Sequence, residues 1–568
     1  MKPPCDEAVI RSHIAATPCR REHGRWVLVA TIIASSMAFI DSTVVNVALP
    51  ALQRSFGASV DGVQWVVEAY GLTLSALILV GGSMGDLFGR RRVFLSGVAV
   101  FTLASMGCGL ALSLGQLIAA RAIQGIGAAF LVPGSLALIS ASFGEQERGR
   151  AIGTWSGSTA ITTAIGPVVG GWLIEHLSWR WAFFINVPLA AAVILVSFWC
   201  VPESSSRRQG QIDWPGAVAA TFCLTGLVFG FVESTRLGWK HPLVVASFVV
   251  GAIGAAAFQR IERTGASPIV PMELFHSRAF SGANLLTLFL YAATGIFFFL
   301  LPLNLIQVQG YSATAAGGAV LPMILLMFLL SRWSGGLVTR YGARLPLMIG
   351  PVIAAVGFLL FSLPSIGGSY WLTFFPAIIV LGLGMAVSVA PLTTVVMSAV
   401  DQDRVGTASG INNAVARVAA VLAIAVFGVV MVACFGDQLN RQLSTVQMPA
   451  KARAELQSNE SRLAALGAPA GVEPAIASAV ESGIRSSFVF SFRVVMWLCA
   501  ALALVSAGVA WRMIPGPLAS RAVRQLRAVG STLADAGATE RMSSAVRQAV
   551  PGVSVFRMTF LMNPRKAS

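Results

Sequence analysis

Charge is scarce in this chain: Asp, Glu, Lys and Arg make up only 11% of 568 residues, whereas 56% are hydrophobic. Soluble domains carry about 25% charged and about 45–50% apolar residues, so the shortage excludes a string of ordinary water-soluble domains. A mean hydropathy of +0.76 makes the bilayer the solvent for much of the surface. Cysteine is sparse too. Cys5, Cys19, Cys108, Cys200, Cys223, Cys434 and Cys499 are odd in number, far apart and without a C-x-x-C pair, which excludes a disulfide framework and a zinc site. The five histidines, His13, His23, His176, His241 and His276, fall in tails or near predicted loops. There is no H-E-x-x-H, P-loop or nucleophile elbow, which argues against an enzyme, a bound metal or export driven by ATP.

What the chain has is long apolar runs. A helix needs about 20 mostly apolar residues to span a bilayer. Fourteen runs qualify: 26–50, 63–84, 93–113, 116–142, 150–174, 181–201, 214–233, 242–259, 279–306, 314–338, 345–364, 370–399, 405–434 and 487–511. The first is too long for a signal-peptide core and is expected to stay as a span. A net charge of +16 invites a nucleic-acid reading, but the basic residues lie in loops and tails between the runs, where membrane topology explains them. Short loops on the side of the N-terminus hold 13 Lys or Arg, at Arg90 to Arg92, Arg148, Arg150, Arg207, Arg208, Arg260, Arg263, Arg278, Arg340, Arg344 and Arg404. The opposite short loops hold 4, at Arg54, Arg180, Arg236 and Lys240. That bias predicts both termini in the cytoplasm.

The chain also repeats itself. Gly82, Gly89, Arg91 and Gly97 match Gly335, Gly342, Arg344 and Gly350 at a constant offset of 253, and the same offset carries the start of the first run to the ninth. The predicted organisation is a segment 1–25, a six-helix bundle 26–201, a linker 202–278 holding two inserted helices, a second six-helix bundle 279–511 with an outer loop 435–486, and a basic tail 512–568. The tail suits either anionic lipid or solvent. Transport sites in duplicated folds of this kind lie between the halves near mid-membrane.

Local motifs carry the chemistry. In the loop after the second run, Gly82-Ser83-Met84-Gly85-Asp86-Leu87-Phe88-Gly89-Arg90-Arg91-Arg92, glycines permit close helix approach and a sharp turn, and an acid precedes a basic triplet. In the fifth run, Gly166-Pro167-Val168-Val169-Gly170-Gly171 combines a lost backbone donor with small residues that allow tight packing or a pivot. The equivalent positions of the second half are Ala419 and Ala420, so the halves differ. Charges inside spans are costly and are functional candidates by default. Asp41, Glu68 and Arg121 share a depth band in the outer half of the predicted membrane, and Arg417 is a weaker fourth. A carboxyl beside an arginine in an apolar setting can load and release protons. Asp41 and Glu68 are the expected proton or cationic-substrate carboxyls and Arg121 their partner; a fixed structural ion pair is the plainer alternative. Asn46, Trp65, Tyr70, Trp155, Tyr291 and Phe297 to Phe299 are candidates for a cavity that holds flat lipophilic cations, although such residues often face lipid or core.

These motifs bring a resemblance with them. The Gly82–Arg92 loop resembles the signature of the major facilitator superfamily, in which it acts as a cytoplasmic latch between bundles. The resemblance gives Gly82, Asp86, Gly89, Arg90 and Arg91 that role, with Leu87 standing where a basic residue is common. Asp41-Ser42-Thr43-Val44-Val45-Asn46-Val47-Ala48-Leu49-Pro50, Leu117 to Ala129 with Arg121, Gln124, Gly125 and Gly127, and Trp179 to Pro188 resemble the drug:proton antiporter family with fourteen spans, the EmrB/QacA type. Gly166, Pro167, Gly170 and Gly171 resemble its fifth-span antiporter motif, with Thr162 in place of the usual leading glycine. The resemblance implies an all-α polytopic membrane protein with the major facilitator fold, two six-helix bundles plus two inserted helices. It implies a non-enzymatic, proton-coupled exporter of hydrophobic compounds, cationic ones foremost, in the bacterial cytoplasmic membrane. The proton gradient replaces any cofactor, the bilayer is the constant partner, and a periplasmic adaptor remains open. Export of a specific metabolite, amino acid or siderophore, or a sensor that kept the fold but lost transport, are the competing readings.

Overall fold

The computed structural model describes residues 21–143, 145–204, 213–265, 268, 270–400, 405–444, 446–469 and 471–516, so the tail from 517 and the first twenty residues lie outside it. Helices occupy all fourteen predicted runs. They are α1 (Arg21–Phe56), α2 (Val60–Phe88), α3 (Arg90–Leu110), α4 (Leu114–Ser142), α5 (Glu145–His176) and α6 (Trp181–Cys200). The inserted pair is α7 (Trp214–Leu237) and α8 (Pro242–Thr264). The second half holds α9 (Arg278–Val308), α10 (Ala313–Ala319 continued as Leu321–Tyr341), α11 (Arg344–Leu360), α12 (Tyr370–Ser398), α13 (Val405–Leu443) and α14 (Pro474–Met513). Among the described residues twelve helices are long and apolar enough to cross a membrane, and Arg344–Leu360 is a shorter apolar one.

Within the first half α2 and α3 both pack on α4, and α5 and α6 on α1; in the second, α10 and α11 pack on α12, and α13 and α14 on α9. The halves meet along two seams, α5 against α10 and α2 against α13. The inserted α7 and α8 lie against each other, and α7 covers the α2–α13 seam. A cluster of Leu72 and Ala76 from α2, Leu224, Val228 and Val232 from α7, and Val421 and Ala425 from α13 buries that junction.

The repeat is visible in close approaches of backbone. A Cβ on Gly97 would press on Leu131 N of α4 at 2.9 Å, and one on Gly350 would press on Ser388 N of α12 at 3.0 Å. Conversely, Gly127 faces Phe101 and Gly384 faces Ala354. The spacing between equivalents is 253 residues in α3 and α11 and 257 in α4 and α12, the difference falling in the longer connection after Leu360. Gly89 and Gly342 both sit at positive φ, 103° and 79°, where a side chain would strain the turn.

One expectation about the loops needs correction. The stretch 435–486 is not all loop: α13 continues to Leu443 and α14 begins at Pro474. Phe435, Leu439 and Leu443 recur every fourth residue, as do Val480 and Ile484, and all are buried, so the extensions are amphipathic helices that pack on each other. Between them a short helix Ala450–Ser458 and a 3-10 turn Glu460–Ala465 fold back over the bundle. Leu463, at a left-handed φ of 51°, is fully buried there. The end of the bundle beneath this segment is called the capped end below, and the end carrying Gly89 and Gly342 the turn end.

Candidate functional site

Asp41 lies in α1 some twenty residues from its start, and Arg121 seven residues into α4; the two helices pack side by side. Arg121 Nη1 donates to Asp41 Oδ2 at 2.5 Å, with the side chains 1% and 0% exposed. The rest of the guanidinium is also used. Its Nε donates to Val66 O of α2 at 3.0 Å and Nη1 to Gln124 Oε1 at 2.8 Å. Its plane lies 4.2 Å over the Tyr70 ring, a cation–π contact strengthened by the absence of water. Asp41 Oδ1 accepts from Gln124 Nε2 at 2.8 Å and from Asn186 Nδ2 at 3.4 Å. Asn186 Nδ2 also donates to Ser105 Oγ at 3.0 Å. The network thus ties α1, α2, α3, α4 and α6 around one buried ion pair. Burying two charges is repaid only when their remaining donors and acceptors are also satisfied, and here nearly all are.

Glu68 does not join it. Its side chain is fully buried, yet neither carboxylate oxygen has a hydrogen-bond partner. The nearest polar neighbour on the same face of α2, Gln64, gives its Nε2 to Ile424 O of α13 at 2.9 Å. The three predicted charges therefore divide into a closed pair and a solitary acid.

Other predicted residues separate in the same way. Tyr70 is buried under Arg121. Trp155 Nε1 donates to Ser35 Oγ at 3.0 Å and fixes α5 to α1. Trp65 packs beside the α2–α7–α13 cluster and donates to Glu233 Oε1 of α7 at 3.0 Å. Asn46 donates to Ser42 O within its own helix at 3.3 Å. Phe297 and Phe299 are core residues, with Tyr291 packed beside that core.

The glycine motif of α5 is a three-helix junction. Cβ atoms on Gly166 or Gly170 would overlap Thr43 or Val44 of α1. One on Gly171 would overlap the Ala313 carbonyl of α10, and one on Gly317 of α10 the Pro167 carbonyl. Backbone from α5 and α10 meets there without intervening side chains.

At the turn end, Gly89 leads into α3, whose first amides point at an acid three residues past the end of α6. Arg91 N and Arg92 N donate to Glu203 Oε1 and Oε2 at 3.0 and 3.2 Å, and Arg90 N to Ser204 O at 2.8 Å. A carboxylate at a helix N-terminus meets free amides and the positive end of the dipole. Arg91 Nη2 donates to Phe198 O at 2.9 Å. The side chain of Asp86 lies outside the described residues, and Gly82 faces Pro133 of α4.

Between the bundles, hydrogen bonds gather at the capped end. Gln307 Nε2 donates to Gln53 Oε1 at 2.6 Å, Thr314 Oγ1 to Glu175 Oε2 at 2.6 Å, and Arg462 Nη2 to Gly57 O at 3.1 Å.

The sequence profile of the Major Facilitator Superfamily matches residues 31–424. The chain belongs to this superfamily. The facilitator chain is 36% identical over 425 residues to "Multidrug resistance protein Stp" of Mycobacterium tuberculosis, covering 73% of this chain and 77% of that one. It is 30% identical over 511 residues to the "Tetracenomycin C resistance and export protein" of Streptomyces glaucescens, covering 88% and 94%. Among solved structures, a bacterial homolog of the human lysosomal transporter Spinster, in an inward-facing and unoccupied conformation, superposes with a TM-score of 0.60 at 18% identity, over 88% of this chain and 100% of that one. The major facilitator fold, a multi-pass membrane location and the function of a transporter follow.

Sequence reasoning left Gln124, Asn186, Glu203 and Glu233 out of the site. Gln124 had a signal, since it stands three residues from Arg121 and shares its helix face. Asn186 stands within the Trp179–Pro188 motif, which did not show its part in the site, and no local pattern marks Glu203 or Glu233; helices distant in sequence bring all three into place.

Proposed function

We propose that this facilitator is a proton-coupled exporter of hydrophobic, cationic drugs, working by alternating access of its two bundles. The observation that carries the reading is the asymmetry of buried charge. Asp41 and Arg121 pair in the first half, whereas their equivalents in the second half are Thr294 and Ile378, both buried. A chain built by duplication has no packing reason to keep a costly ion pair and a solitary buried acid in one half only, but a carrier of protons and cations does. The resistance and export functions named for the two relatives support export as the direction.

In this reading the capped end faces outward and the turn end, with both termini, faces the cytoplasm, as the charge bias of the loops indicates. Links at the capped end then close the outer side, and substrate enters from the turn end. Proton binding at a carboxyl removes a negative charge from the apolar seam and changes which conformation is favoured. The bundles pivot at the Gly166–Gly171 junction, where the two backbones touch.

The test uses purified protein in vesicles with an imposed inside-acid pH gradient. Addition of a lipophilic dye cation is expected to dissipate that gradient, and Asp41→Asn and Glu68→Gln to abolish the coupling. Dissipation unchanged in both variants overturns the reading.

A further inference from the structure

The α2–α13 seam holds a buried acid and a half-buried arginine that fit each other but are apart. On α2, Glu68 lies one turn from Gln64 and one from Gly71, so all three share a face. That face meets α13: Gln64 binds Ile424 O, and a Cβ on Gly71 would stand 2.7 Å from Val421 Cγ2. On α13, Arg417 is one turn from Val421 on the same face. It is half-buried and has no ion-pair or hydrogen-bond partner among the described residues; the ionisable group that bears on it is the Tyr70 phenol.

The helices are antiparallel, so Glu68 lies three residues to one side of the Gly71–Val421 contact and Arg417 four to the other. Seven residues of helix rise place them about 10 Å apart along the seam.

The other charges around α2 are accounted for. From α1 and α4, Asp41 and Arg121 hold each other. From α7, Glu233 holds Arg236 at 2.8 Å. Asp61, at the capped end of α2, is buried two turns away from Glu68. Arg462 of the 3-10 turn is bound to Gly57 O, and Glu460 to Asn440. On α3, Cys108 hydrogen-bonds Gln124. An ionised Glu68 therefore has, among the described residues, one unpaired cation along this seam to turn to. The one polar side chain given beside Glu68 is the Gln64 amide, already donated to Ile424 O, and a buried carboxylate without a cation is strongly disfavoured, so its charged form requires that partner.

We propose that Glu68 and Arg417 are the switch pair of this transporter. In the present state Glu68 carries a proton and the pair is open. When Glu68 releases that proton to water, its carboxylate draws Arg417 along the seam, and the shift of roughly one helical turn closes the turn end while opening the capped end. α7, lying over the seam, excludes lipid from the gap. The proposal rests on the proton-coupled reading above and assigns its conformational step to two residues.

The experiment measures the distance between spin labels at Phe88 and Tyr341, the turn-end residues of α2 and α10, in a cysteine-free background across pH. The wild-type distance is expected to shorten as pH rises. Arg417→Gln and Glu68→Gln should hold the long distance at every pH, with at least a tenfold loss of the short population. Arg417→Lys, which keeps the charge, should retain the change. Shortening in Arg417→Gln within twofold of wild type overturns the proposal, as does a long distance held by Arg417→Lys in correctly folded protein. Dye-driven proton flux on the same samples separates the two claims. Flux that is present but indifferent to Arg417 removes the switch pair, whereas a distance change that obeys Arg417 without any flux removes the antiport reading and leaves the pair.

Discussion

Arg121 and Asp41 come from helices eighty residues apart and meet at 2.5 Å with almost no exposure to solvent. Around them Gln124, Asn186, Tyr70 and the Val66 carbonyl complete the coordination. Such a pair specifies how α1 and α4 sit together, and it can be disturbed only as a unit.

Removing one partner should therefore cost more than removing both. Asp41→Asn or Arg121→Gln leaves the other charge buried, a loss of about 3–5 kcal/mol, whereas Asp41→Leu with Arg121→Met should recover part of it. Thermal midpoints of the detergent-solubilised proteins measure this, and equal midpoints for single and double variants would contradict it.

The α5–α10 junction predicts a sharp contrast between neighbours. Gly317→Val places a side chain against the Pro167 carbonyl, while at Gly318 a Cβ meets nothing within 4 Å. Drug export by Gly317→Val should fall at least tenfold, about 1.4 kcal/mol or more in the barrier of the limiting step, with Gly318→Ala close to wild type. Efflux rates from dye-loaded cells provide the comparison.

Glu203 should matter to the start of α3. Glu203→Gln retains an acceptor but loses the charge that faces the Arg91 and Arg92 amides and the Arg92 side chain, 3.8 Å away. A capping contribution of about 0.5–2 kcal/mol is at stake. Amide exchange at residues 90–93 should quicken in the variant, and added salt should narrow the difference.

The inserted helices are held by a hydrogen bond as well as by apolar packing. Trp65→Phe and Glu233→Ala should each loosen α7, and together they should be less than additive by about 1 kcal/mol because both remove one interaction. A double-mutant cycle on thermal midpoints reads the coupling.

Docking of the segment over the capped end should depend on pH. Burial holds the Glu460 carboxyl above its ordinary value, opposed by the amide of Asn440, while Asp437 adds to the upward shift. An acid shifted upward by folding contributes stability below its unfolded value and loses it as pH rises through the folded one. Proteolytic cleavage within 444–473 should accelerate as pH rises through and above the normal glutamate range. In Glu460→Gln it should be slow and flat.

How far the sequence could be read followed from the range of each interaction. Apolar runs of membrane length require helices wherever they occur, because unpaired backbone groups are intolerable in hydrocarbon, and all fourteen runs are helical. The 253-residue repeat gave the two halves, and glycine spacing marked the α5 motif before any neighbour was known. Boundaries were less legible where a helix leaves the apolar layer. The polar extensions of α13 and α14 are held by Leu439, Leu443, Val480 and Ile484 packing against one another, a stripe too sparse to read as a span.

By itself, then, the sequence determined the fourteen apolar helices, their duplication, the family and the buried charges Asp41, Glu68 and Arg121, since each depends on composition or local spacing. Only the tertiary structure decided who partners whom. It joined Asp41 to Arg121 and left Glu68 alone, turned Trp65 toward Glu233, and brought Glu203 to the head of α3. The reason is physical: a buried charge must find its counter-charge and donors across helix faces, and which faces meet is set by packing of whole helices rather than by neighbours in the chain.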